Sequence, residues 1–155
     1  MANLLITKAK PNPAGKDRIG RTLTPAIQLA AEWVDFQNIS NVSVKLDGTT
    51  LYHWAYTFGT NGEWKLATNL SGILKSGEIV RVHSGNQIPV WQMRQEDQIG
   101  ANYHIFSNQN YIWNNDKADF PSLWYVPTRQ WVDQTSYDAY TMEGKILQRI
   151  NSKLI

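Results

Sequence analysis

Hydrophobic and polar positions alternate with a period of two through most of the chain, a spacing that predicts strands. In Glu32 to Ser40, EWVDFQNIS, Val34 and Phe36 fall on one face and Trp33, Asp35 and Gln37 on the other. Asn38 and Ser40 end that run, because their side chains compete for backbone hydrogen bonds. This stretch is expected to be the central strand, with the rest of the chain wrapped around it. Asn3 to Ala9 reads as a first strand stopped by Pro11 and Pro13. Asn12 to Thr24 reads as loop, and Pro25 to Ala31 as strand or loop running into Glu32. Val42 to Leu46 reads as a half-buried strand, Asp47-Gly48 as a hairpin turn, and Thr49 to Phe58 as the return strand. Further strands are expected at Glu63 to Thr68, at Glu78 to His83 with Val80 and Val82 on one face, and at Tyr103 to Phe106. Tyr111 to Trp113, Ser122 to Val126 and Trp131 to Ser136 complete the series. Gln87 to Gly100 breaks the alternation and reads as a long connection with a short helix.

The tail changes period. Met142, Ile146, Ile150 and Leu154 recur at spacing four, with Leu147 adjoining, which predicts an amphipathic helix over 141–155. So short a helix must rest its stripe on the sandwich, a sister subunit or a partner. Many short strands, frequent turn signals and little helix predict an all-β antiparallel sandwich over 1–140, followed by this helix.

A chain of 155 residues fits one domain. Its net charge of +2 gives no strong pull toward nucleic acid or anionic lipid. With no cysteine, disulfides, thiolate metal sites and cysteine nucleophiles are excluded. No run approaches the ~20 apolar residues of a membrane helix. The first residues lack the pattern of a secretion signal. A soluble protein is expected, cytoplasmic or a trimmed extracellular domain.

Seven tryptophans are the main chemical oddity. A flat apolar ring with a polar edge suits sugars as well as cores. Trp33, opposite the core face of its strand, and Trp91, in the irregular connection, are the candidate ligand-binding residues. His53, His83 and His104 stand in no metal-ligand spacing. Asn114, Asn115, Asp116 and Asp119 could offer oxygens to calcium, but without the EF-hand spacing. No metal or other cofactor is expected. No nucleophile elbow, zinc-protease motif or phosphate loop occurs. Lys8, Lys10, Lys16, Arg18 and Arg21, with Lys145, Arg149 and Lys153, could form a basic surface only if they share one face.

An ordered series of pieces resembles the lamin-tail domain: EWVDFQNIS, Val44 to Gly48, Leu74 to Glu78 with Val80 to Val82, Ile112 to Asn115, Ser122 to Tyr125, and Val132 to Tyr137. The resemblance implies an immunoglobulin-like sandwich and a non-enzymatic role. The expected function is a recognition or assembly module that binds a protein partner or self-associates. The docking element would be the terminal helix, through Met142, Ile146, Leu147, Ile150 and Leu154. The alternatives are a carbohydrate-binding surface module using exposed tryptophans, and weak DNA binding.

Overall fold

The structure, a computed structural model, describes residues 3–15, 25–57 and 61–155. It is mostly β, in a sandwich-like arrangement. The strands are β1 (Leu4–Lys10), β2 (Trp33–Asn38), β3 (Val44–Lys45), β4 (Thr49–Ala55), β5 (Glu63–Asn69), β6 (Ile73–Leu74), β7 (Ile79–His83), β8 (Tyr103–Phe106), β9 (Ser122–Tyr125), β10 (Gln130–Gln134), β11 (Leu147–Ile150) and β12 (Lys153–Leu154). Two short helices, α1 (Ala26–Ala30) and α2 (Gln95–Gln98), and a 3₁₀ turn at Val90–Gln92 complete the described elements. The larger sheet runs β12-β11-β1-β2-β7-β8, the smaller one β10-β9-β4-β5, and β3 pairs with β6 alone.

The central position of β2 agrees with the sequence reading, and Val34, Phe36, Val80 and Val82 are all buried in the core. They meet Leu51 and Leu123 of the smaller sheet, as period-two alternation requires. A bulge in β1 organises the other face. Ile6 lies opposite Phe36, yet Lys8 lies opposite Asp35, so Thr7 is the extra residue. The insertion reverses the parity of β1 and sends Lys8 and Lys10 to the face away from the core.

That outer face is covered as well. Lys10 is fully buried, and its Nζ lies 2.7 Å from both Glu96 Oε1 and Asp97 Oδ1. Trp33 Nε1 donates to the same Asp97 oxygen at 2.8 Å. Arg81 grips Asp35 through two hydrogen bonds of 2.7 and 2.8 Å, donates to the carbonyls of Asp97 and Ile99, and lies 3.6 Å over the Trp33 ring. Burial raises the Asp35 pKa, and the bonds from Arg81 act against that rise. Each charge is paired, which is the condition for burying it. The 87–100 connection, with its short helix as expected, is thereby clamped onto the larger sheet.

Several expectations are corrected. Trp33 is not a surface residue: it lies in this covered layer with no solvent access. The 141–155 helix does not form. Leu147 to Ile150 adds to β1 as a strand and turns through Asn151 and Ser152 into β12. Leu147 and Leu154 enter the core, whereas Met142, Ile146 and Ile150 face solvent, so the five residues share no stripe. The strand pairing wins because it buries two leucines on an existing sheet, which an isolated four-turn helix has no means to do. The larger sheet is not wholly antiparallel: β8 runs parallel to β7, reached through the long 87–100 crossover. Pro25 to Ala31 contains α1, and Tyr111 to Trp113 is not a strand. The Asp47-Gly48 turn joins strands of different sheets, because β3 pairs β6 while β4 pairs β5 and β9. No helix among the described residues is long and apolar enough to cross a membrane.

Candidate functional site

The outer face of the smaller sheet carries no covering element among the described residues, and it is aromatic. In β4, Leu51 and His53 turn inward and are buried, so alternation places Thr50, Tyr52 and Trp54 outward. The β4–β5 hairpin pairs Trp54 with Trp64 and Tyr52 with Leu66, which sets those four side chains on one surface. Trp124 of β9 and Trp131 of β10 are also directly paired. A second bulge, at Val132, lets Trp131 stay outward while Asp133 turns back. There Asp133 accepts the Ile6 N–H at 2.8 Å and pairs with Arg149, joining the two sheets at one corner.

The rings form an unbroken series. Trp124 meets Trp131 at 4.7 Å between centroids, Trp131 meets Trp64 at 4.8 Å, Trp64 meets Trp54 at 5.1 Å, and Trp54 meets Phe120 at 6.3 Å. Tyr52 packs edge-on against Trp131 at 6.2 Å. Trp64 and Trp131 are tilted at 47°, and the other four pairs pack edge-to-face at 69° to 87°, each contact contributing roughly 0.5–1.5 kcal/mol beyond area burial. Trp64 is 37% exposed and Phe120 39%; Trp54, Trp124 and Trp131 are half-buried against one another. Ser122 and Thr50 lie buried beneath them. The Trp54 ring also fixes Gly62, whose φ is 106°; a Cβ there would fall 1.9 Å from the indole nitrogen.

The polar edges of this face divide into used and unused groups. Trp54 Nε1 donates to the Asn61 carbonyl at 3.3 Å. Among the described residues, the indole N–H groups of Trp64, Trp124 and Trp131 and the hydroxyl of Tyr52 have no protein partner. No Asp, Glu, Lys, Arg or His belongs to this set. Two charges at its margin are engaged elsewhere: Lys117 lies 4.7 Å over the Tyr56 ring, and Glu63 accepts the Thr57 hydroxyl at 2.9 Å.

The residues singled out from the sequence fall differently. Trp91 is 76% exposed but stands apart from the ring series, on the 3₁₀ turn beside exposed Val90. Trp113 is core. Asp119 is fully buried and spends its oxygens on the backbone N–H groups of Trp54, Asn114 and Phe120. It is thereby taken up in the turn and is not available to calcium. No group of three metal-ligating side chains occurs among the described residues. Three of the basic candidates are already engaged: Lys10 is buried against Glu96 and Asp97, Arg149 pairs with Asp133, and Lys153 pairs with Asp138. Lys16, Arg18 and Arg21 lie outside the described residues. The sequence held one signal for this face: Tyr52-x-Trp54 and Trp64-x-Leu66 stand in neighbouring strands on either side of Asn61-Gly62, and alternation puts each pair on one side of its strand.

Two buried titratable groups lie apart from the face. Glu32 accepts Ser84 Oγ and the backbone N–H groups of Ile112 and Trp113 on one carboxyl oxygen, and burial pushes its pKa up to about 8. The His83 ring stacks on His104 and touches the Ala30 carbonyl, and burial lowers its pKa to about 3.

No family model matches the chain, nor does any curated protein. Among solved structures, one chain from work on a β-glucosidase involved in saponin metabolism, from intestinal bacteria, is similar at a TM-score of 0.33 and 12% identity. The match covers 87% of this chain and 16% of that one. At that level it carries no argument about function.

Proposed function

We propose that the protein is a non-enzymatic recognition module that binds carbohydrate on the tryptophan face of its smaller sheet. The observation that carries this reading is the continuous ring series Trp124–Trp131–Trp64–Trp54 on a sheet face left open by the described elements. Aromatic rings packed mainly to close a core would be covered; these keep their edges and part of their faces in water. Such a surface gains by stacking on the C–H faces of sugars. A glycan array run with the intact protein, Trp64→Ala and Trp131→Ala tests it. Signal on at least one glycan, lost in both variants while the fold persists by circular dichroism, is expected. Absence of signal on every glycan contradicts it.

A protein partner is a second reading, favoured by the exposed apolar knuckle of Val90 and Trp91 with Ile99 nearby on the same connection. It requires that Trp91→Ala abolish capture of that partner while Trp64→Ala does not. Kinship with the lamin-tail domain, and the immunoglobulin-like topology it implies, belong to the same proposal. Their support is that most of the resembling pieces lie on β2, β3, β7, β9 and β10. An experimental structure with another strand order would remove them.

A further inference from the structure

We infer that the tryptophan face selects neutral glycans and rejects anionic ones. This rests on the carbohydrate reading above and concerns which class the face takes. Three observations carry it.

The first is hydrogen-bonding polarity. The unused polar groups of the face are three indole N–H donors, on Trp64, Trp124 and Trp131, and one hydroxyl, on Tyr52. An indole nitrogen only donates. A ligand that satisfies this set must be rich in acceptors, as the ring and hydroxyl oxygens of a sugar are. The second is charge. Among the described residues of β4, β5, β9 and β10 that share this face there is no cation to pair with a carboxylate or sulfate, and Lys117 at its margin is already seated on Tyr56. An anion pressed against the rings would lose water without gaining a counter-charge, which is unfavourable. The third is extent. The ring contacts continue from Trp124 to Phe120 without a gap, and neighbouring rings are inclined by 47° to 87°, so the face offers several rings, each in its own plane, and not one isolated ring. Each exposed ring face or edge is a separate place for the C–H face of a sugar.

Affinity gel electrophoresis of the intact protein with three polymers decides it. Hydroxyethylcellulose is neutral and straight, carboxymethylcellulose has the same backbone with added carboxylates, and dextran is neutral and flexible. Retardation by hydroxyethylcellulose is expected, weakened about tenfold or more by Trp64→Ala and by Trp131→Ala, the scale of one lost stacking contact. Trp131→Phe, which keeps a ring but loses the N–H, falls between. Trp91→Ala, off the ring series, leaves retardation unchanged. Carboxymethylcellulose is expected to bind about tenfold or more weakly. Equal retardation by both cellulose derivatives overturns the charge selection and leaves carbohydrate binding standing. Stronger retardation by carboxymethylcellulose than by either neutral polymer overturns it as well. Retardation by none of the three overturns this inference, and the glycan array then separates loss of the class from loss of the whole reading.

Discussion

His83 and Glu32 pull the stability of the protein in opposite directions with pH. The His83 pKa is lowered from 6.5 to about 3 by burial, so its contribution is complete above pH 6.5 and is lost as pH falls toward 3. The Glu32 pKa is raised from 4.5 to about 8, again by burial, so its contribution is complete below pH 4.5 and is lost as pH rises toward 8. Each slope is about 1.4 kcal/mol per pH unit. Between pH 4.5 and 6.5 both act and cancel. Urea denaturation across pH should therefore show a plateau there, with falling stability on either side. Glu32→Gln should remove the alkaline fall between pH 6.5 and 8; an unaltered fall would show that another group causes it. Two further side chains test the buried polar layer. Thr7 Oγ1 is buried without a partner, so Thr7→Val should leave stability unchanged or raise it by up to about 1 kcal/mol. Lys10→Met leaves the buried Asp97 carboxylate without its cation, and should cost roughly 3–5 kcal/mol. A cost within experimental error in the midpoint of urea unfolding would deny the clamp its role.

At the scale of elements, the tail is held by what it buries. Deleting 147–155 strips Leu147 and Leu154 from the core and exposes the β1 edge that β11 covers. Losing even one such leucine costs roughly 2–5 kcal/mol. The truncated chain should unfold at markedly lower urea or not accumulate at all; an equally stable monomer would contradict the pairing of β11 with β1. The same elements show what the sequence did and did not disclose. β2, β7, β8, β9 and β10 were legible because each is a short run rich in β-forming residues between turn signals. The helix expected at 141–155 came from spacing-four apolar residues, but Ile150 and Met142 turn out to be exposed, and only Leu147 and Leu154 carry the packing. Spacing alone does not tell which apolar residues are buried. The bulges at Thr7 and Val132 were invisible for a related reason. One inserted residue reverses the face of everything after it, and nothing local in LLITKAK or QWVDQ marks the point.

For the whole molecule, the decisive division is between a larger sheet whose central strands are covered on both faces and a smaller sheet open on one. Trp33 was expected outside because it stands opposite the core face of β2. It is buried because the 87–100 connection folds back and anchors Asp97 on it, a contact across 64 residues that no periodicity announces. The converse holds for the ring series. Trp54, Trp64, Trp124 and Trp131 sit in strands that look like ordinary core formers, and only the sheet order shows that no described element covers their far side. Tryptophan indole resonances test this division and the binding role together. In a ¹H–¹⁵N spectrum the seven indole N–H signals are read individually while hydroxyethylcellulose oligomers are added. The indoles of Trp64, Trp124 and Trp131 should shift and saturate together, with Trp33 and Trp113 unmoved. Saturating shifts confined to Trp91, or none at any of the seven, would contradict a binding face on the smaller sheet.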